Sequence, residues 1–292
     1  MSDSFIIALK EFSDNIVSRR FMILLTLLSA LAILSSFAIV GHAYQALPFS
    51  DILVLGSISI VRLIGDVGPL LGIALSFDAI NKEKETGSIM LLLSCPIYRD
   101  SVLTGKFLGG LLTISLSVVS MIMLLLGFTI AQLGIMPSKE EAIRLAIYMV
   151  ISILYVSCYM ALSLLTSTLT EKSSTSLLIS ISIWIFSTFL IPIIASAMAS
   201  LIPSEQVEIK LKTITLIYML SLNRHYDTLS KNIISPHYFT DPFSILPRWS
   251  MSKKLDLMES LSLSWPNLAV IIAATVIFLA VAYIKFLREE VR

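Results

Sequence analysis

The apolar residues of this chain sit in blocks, and several blocks run for about 20 residues without a charge, the length a helix needs to cross ~30 Å of hydrocarbon. Six blocks read as membrane spans: Phe21–Val40, Ile58–Phe77, Phe107–Leu133, Leu145–Thr166, Ser176–Ala199 and Pro266–Leu287. The pattern predicts an all-α membrane protein folded as one transmembrane domain over residues 1–292. Ahead of the first span, Phe5, Leu9, Phe12 and Ile16 recur at helical spacing, with Lys10, Glu11 and Asp14 on the opposite side. Such an arm, residues 1–20, suits an amphipathic helix lying in the headgroup layer, the plainer alternative being a frayed tail. Arg19 and Arg20 then mark a membrane boundary, and Pro192 inside the fifth span predicts a kink.

The links between blocks are uneven. Gly41–Asp51, the turn with Pro137, Lys139, Glu140 and Glu141, and the turn at Glu171 and Lys172 are short; the charged stretch 78–106 and the polar region 200–264 are long. In the latter, Ser204 after Pro203 can cap a helix in which Val207, Leu211, Ile214, Tyr218 and Leu222 share one face. Its apolar run Thr213–Leu222 is too short to span and is expected to pack on the membrane rim or on a partner subunit. Pro236, Pro242 and Pro247 break the remainder into short, mostly helical pieces.

Composition narrows the class. Hydrophobic residues make up 56% of the chain, charged residues 14%, and mean hydropathy is +0.89. Soluble proteins carry about 25% charged residues, so a cytosolic globular enzyme is excluded. Lys plus Arg number 21 and Asp plus Glu 20, which gives a nucleic-acid partner no electrostatic support. Two cysteines, Cys95 and Cys158, cannot build a disulfide framework or a thiolate metal cage. The first block is too long for a signal-peptide core and has no convincing cleavage site.

Basic residues in short loops set the expected orientation. The N-terminal arm, 78–106, 167–175 and the C-terminal tail together hold eleven Lys and Arg residues, whereas the short loops on the other side hold only Lys139 and Arg144. Both termini and the 78–106 loop are therefore expected in the cytoplasm, with 200–264 outside and Trp265 as an interfacial anchor. Cys95 then lies on the reducing side and Cys158 within a span, so no disulfide joins them.

The 78–106 loop is the most informative stretch. The second span runs out into a charged helical end near Glu83 and Glu85. Gly87 permits a tight turn because it can take positive φ. Ser88 can cap a short apolar helix, Ile89–Leu93, which Pro96 cannot continue, and Asp100 can cap the helix that becomes the third span. Lys106 is expected to snorkel. A short apolar helix with acidic residues beside it, exposed in the cytosol, is a docking knob; the bland alternative is an ordinary polar connector.

These residues resemble the signature of type-2 ABC transporter permeases, the membrane subunits of six-helix exporters. The family pattern is an acidic residue, then Glu-Arg-Glu-x-Gly-Thr, Leu-Ser-x-Pro, Arg and Gly-Lys. Here it reads Asp78, Glu83-Lys84-Glu85-Thr86-Gly87-Ser88, Leu93-Ser94-Cys95-Pro96, Arg99 and Gly105-Lys106. Lys84 replaces the common Arg and Ser88 the usual Thr. The layout of arm, six spans and large fifth-to-sixth segment is similar as well, most of all to the single-domain permeases that include those serving copper-enzyme maturation. The resemblance implies a coupling helix around Gly87–Pro96, seated in a groove of a separate ATPase subunit that holds ATP and Mg. Glu83, Glu85, Gly87, Ser88, Ile89, Leu93, Pro96 and Arg99 would form that contact. It also implies export across the plasma membrane, a second permease copy or paralogue, and no cofactor or catalysis in this chain. A self-sufficient ATPase would need G-x-x-x-x-G-K-[ST]; Gly105-Lys106 is followed by Phe107 and lacks the upstream glycine.

Arg62 and Asp66 lie four residues apart inside the second span. A lone charge near mid-bilayer costs roughly 2.5–3.5 kcal/mol, so such residues pair or face a cavity. They read either as a structural ion pair or as polar lining of a translocation path. Gly65, Gly68, Pro69 and Gly72 beside them allow close helix approach or a kink. His42, His225 and His237 lack ligand spacing, and Met219, Met251 and Met258 are scattered, so no metal site is expected; Arg224, His225 and Asp227 read as a solvated edge. Two other classes compete. An ion-coupled secondary transporter could use Arg62 and Asp66, without a visible inverted repeat or second buried carboxylate. An intramembrane enzyme finds no second intramembrane aspartate, H-E-x-x-H or G-x-S-x-G.

Overall fold

The computed structural model describes residues 3–41, 49–54, 59–87, 99–203, 206–235, 237–239, 248–249 and 254–288. It is helical throughout, apart from an antiparallel pair of two-residue strands, β1 (Tyr238–Phe239) and β2 (Arg248–Trp249). Six helical stretches are long and apolar enough to cross a membrane. The first is α2 (Arg19–Gly41), preceded by α1 (Asp3–Val17). The second is α4 (Ile60–Ser76) with its extension α5 (Asn81–Glu85). Next come α6 (Arg99–Leu133) and α7 (Lys139–Leu169). The fifth combines α8 (Ser173–Ile185), a π turn at Phe186–Leu190 and α9 (Ile191–Ser200). The sixth is α12 (Leu257–Arg288), on which Trp265 stands exposed.

Several boundaries move from their expected places. The Gly41–Asp51 link gives way at its end to a short helix, α3 (Phe49–Val54). Asp100 does not cap α6, because that helix already begins at Arg99; the Asp100 carboxylate accepts from the Ser101 amide at 2.9 Å. Helix α12 starts at Leu257, ahead of Pro266, with Glu259 reaching back to the Asp256 amide. The seventh-helix start carries a capping box: Ser138 accepts from the Glu141 amide, and Glu141 accepts from the Ser138 amide.

Helix α7 is the most enclosed span and organises the rest. Its Tyr148, Tyr155, Val156 and Tyr159 are fully buried. It meets α4 backbone to backbone at Gly72, where an added Cβ would lie 2.5 Å from the Val156 carbonyl. Ser76 donates to the Met160 carbonyl at 2.8 Å and Ser163 to the Ile73 carbonyl at 3.2 Å, stitching the seam. Pro69 cannot donate to the Gly65 carbonyl one turn earlier, and the Tyr155 hydroxyl takes that place at 2.9 Å. On the other side of α7, the Thr166 hydroxyl meets those of Ser176 and Ser180 of α8.

Pro192 acts on the fifth span through register. The Ile191 amide bonds the Phe186 carbonyl, a five-residue step. The next bond in that register would run from Pro192 to Ser187, and Pro192 has no N–H. The Ser221 hydroxyl supplies it instead, donating to the Ser187 carbonyl at 2.7 Å. The expected kink is thus a π turn stabilised from outside the helix.

Among its described residues, the region between the fifth and sixth spans is mostly helical. Met219–Ser221 turns the chain after α10 (Val207–Tyr218), so Leu222 starts α11 (Leu222–Ile234) rather than continuing the predicted face. Ser204 lies outside the described residues. Helix α10 buries no residue, whereas α11 packs among α4, α7 and α12 and buries Tyr226, Leu229, Ile233 and Ile234 completely. The Tyr226 ring stacks on Tyr155, centroids 4.1 Å apart, and burial pushes its hydroxyl pKa upward.

The α4–α7 seam gives a signed prediction. Gly72→Ala forces the backbones apart and destabilises by about 1–3 kcal/mol. Gly127→Ala, whose added Cβ meets nothing within 4 Å, is neutral or stabilising. Thermal unfolding of the two variants in detergent checks the contrast.

Candidate functional site

Polar chemistry gathers at the two ends of the bundle. At the end bearing α1 and α5, Lys106 is the centre. Helix α1 crosses α6 at Gly105 and Gly109, a G-x-x-x-G spacing; a Cβ on Gly105 would lie 2.6 Å from that of Ile7, and one on Gly109 2.7 Å from the Ala8 carbonyl. The close crossing encloses Lys106, whose side chain is only 7% exposed, so it does not snorkel as the sequence suggested. Its ammonium bridges Glu11 of α1 and Glu83 of α5, each at 2.8 Å. Glu11 therefore turns inward, while Phe5, Ile6 and Leu9 face outward. The amphipathic arm is a packed helix with an apolar outer stripe, and Glu11, on its other side as the spacing predicted, is tied to one buried cation.

Helix α5 is fastened on every side. The Ile80 and Asn81 amides donate to the Ser167 hydroxyl, and the Asn81 side chain donates to the Thr170 hydroxyl at 2.7 Å. Glu85 accepts from the Ser173 amide at 2.7 Å, serving as the cap that Lys172 does not provide to α8. Asp78 pairs with Arg20, whose guanidinium lies over the Phe77 ring. Glu83 and Glu85 thus point back into the chain. Gly87 has φ +70°, the left-handed turn its identity predicted. Ser88, Ile89, Leu93 and Pro96 lie outside the described residues, and Arg99 is described only as the start of α6.

At the opposite end a cavity of about 450 Å³ opens between α4, the fifth span, α10 and α11. Arg62 and Asp66 both line it. They are not at mid-span: α4 begins at Ile60, capped by Ser59, so Arg62 sits in its first turn and its side chain is 64% exposed. The Arg62 Nε lies 3.5 Å from Asp66 Oδ2, and Asn223 of α11 donates to Asp66 Oδ1 at 3.1 Å. The pair is both a structural bridge and a cavity wall. Asp227 holds Lys231 at 2.7 Å and Arg224 at 3.7 Å on the facing side.

Sequence reasoning placed His225 on a solvated edge; it is buried instead. One ring nitrogen meets Asn267 Oδ1 at 2.7 Å and the other the Met219 carbonyl at 2.9 Å, tying α11 to α12. Among the described residues, no three His, Cys, Asp or Glu side chains group to hold a metal ion. Arg144 was read only as a loop charge. It is fully buried and bonds Glu140, the Ile233 carbonyl, Ser260 and the Leu255 carbonyl, joining α7, α11 and α12. Its one sequence signal was Glu140, a helical turn earlier.

The profile of the ABC-2 family transporter proteins matches residues 5–291. The chain is 33% identical over 175 residues to the "Probable ABC transporter permease protein NosY" of Pseudomonas aeruginosa, a match covering 58% of this chain and 61% of that protein. It is 36% identical over 134 residues to the like-named protein of Stutzerimonas stutzeri, 44% of each chain. The matched stretches thus span less than two thirds of either relative.

The Lys106 clamp predicts an ordered set of stabilities. Lys106→Met strands two carboxylates and costs about 3 kcal/mol or more, whereas the triple change Lys106→Met, Glu11→Gln, Glu83→Gln recovers most of that loss. Unfolding midpoints in detergent rank the variants.

Proposed function

Because this chain belongs to the ABC-2 transporter family, we propose that it is the permease of an exporter driven by an ATPase made as a separate chain. It is a multi-pass membrane protein and an ABC transporter permease, a class normally without catalysis of its own. ATP and Mg bind the partner subunit, and this chain supplies the path and the docking segment. That segment is the apolar stretch after Gly87, with Glu83, Glu85, Ser88, Ile89, Leu93, Pro96 and Arg99 in or beside the contact.

The observation that carries this reading is the rooting of α5. It is tied to α1 through Lys106 and to the α7–α8 corner through Asn81 and Glu85, immediately before the Gly87 turn. A segment emerging from so firm a base passes force into the bundle rather than bending at its root. The excess of Lys and Arg at this end supports a cytoplasmic side for it and for both termini. The 200–264 region then lies outside, in the plasma membrane setting. A second copy or a paralogue completes a twelve-span pathway, and closure of the ATPase pair rocks the spans between two packings. Arg62 and Asp66 line the path on the outer side.

Two measurements test it. Gly87→Pro cannot adopt positive φ, so the variant inserts normally but loses co-purification of the ATPase; undiminished recovery refutes the docking role. Asp66→Leu lowers coupled ATP hydrolysis in liposomes several-fold at unchanged folding. Unaltered hydrolysis removes the pair from the path.

A further inference from the structure

The cavity beside Arg62 has two unlike walls. One is charged: Arg62 and Asp66 from α4, with Arg224, Asp227 and Lys231 from α11, three cations against two carboxylates. Two helix N-termini, those of α4 and α11, also open on it, each with its first turn contributing a lining cation, and the positive ends of their dipoles add to the same sign. The other wall is apolar. Phe189, Pro192 and Ile193 of the fifth span form it, and Phe189 and Ile193 are 47% and 62% exposed on the outside of the bundle. A cavity whose charged floor leads directly onto exposed apolar helix surface suits neither a free ion nor a simple hydrocarbon.

We propose that this cavity binds an anionic amphiphile, a molecule with a phosphate-type headgroup against Arg62 and Arg224 and a hydrocarbon tail along Phe189 and Ile193. The inference deepens the proposed place of Arg62 and Asp66 in the path by giving a ligand class to that site. Arg62 suits the headgroup because its guanidinium is largely exposed and its carboxylate partner Asp66, 3.5 Å away, is also held by a second donor, Asn223, at 3.1 Å. A guanidinium presents a planar fork to an oxyanion, and Arg224 offers another across the cavity.

The test is direct binding to the detergent-purified full chain, read by thermal shift and titration. The probes are short-chain phosphatidylglycerol, short-chain phosphatidylcholine and inorganic phosphate. Phosphatidylglycerol binds the wild type, and Arg62→Gln and Arg224→Gln each weaken it by about ten-fold. Lys212→Gln, the same charge change on α10 away from the cavity, leaves it unaltered. Asp66→Asn removes a competing carboxylate and tightens binding about three-fold, a gain that a misfolded variant cannot give. Equal binding of phosphatidylcholine, binding of inorganic phosphate as tight as that of the lipid, or indifference to the cavity variants overturns the proposal. No ATPase enters the assay. A chain that binds the lipid yet hydrolyses ATP normally as Asp66→Leu therefore fails the path reading alone.

Discussion

In hydrocarbon a backbone carbonyl has no water to turn to, and the core of this protein is arranged around that constraint. Of the three prolines inside the span helices, Pro69 and Pro192 each remove a donor whose place another element takes. Pro69 leaves the Gly65 carbonyl to Tyr155, and Pro192 leaves the Ser187 carbonyl to Ser221. Both replacements come from another element, so each irregularity is also a tertiary contact. The first draws α7 onto α4 where Gly68 and Gly72 let the helices close; the second draws the start of α11 onto the fifth helix. With α11 fixed there, Tyr226 reaches Tyr155, and the cavity at that end acquires its charged wall.

Buried charge fastens the two ends by a related rule. Lys106 and Arg144 are both enclosed, and each satisfies its donors with partners from different helices. Such sites hold geometry more than they add net stability, because desolvation offsets much of the attraction. Lys106 sets how α1 and α5 sit on α6. Arg144 sets how α11 and α12 sit on α7. The spans between are joined by small residues and hydroxyls, close at Gly72 and bridged by Ser76, Ser163 and Thr166.

Much of the fold was legible because the membrane imposes a length and a polarity that sequence records directly. The six spans, the Gly87 turn and the amphipathic arm could be read from residue type and spacing. What failed had a common cause. Lys106 was read as snorkelling because its partners, Glu11 and Glu83, are 95 and 23 positions away. His225 and Arg224 were read as solvated because nothing local says that α11 inserts between α4, α7 and α12. Arg62 and Asp66 were read as lying inside the second span, and only the packed structure shows that they stand in the first two turns of α4 and share a cavity with α11.

The sequence by itself determined that this chain crosses a membrane six times, and its 83–106 signature pointed to the transporter family. Hydropathy and short-range motifs are properties of neighbours along the chain. The tertiary structure alone decided which charges are buried, which carbonyls are rescued by side chains from elsewhere, and that Arg62, Asp66 and α11 share one cavity. Those outcomes depend on groups brought together from distant positions, and no local pattern encodes the distance between them.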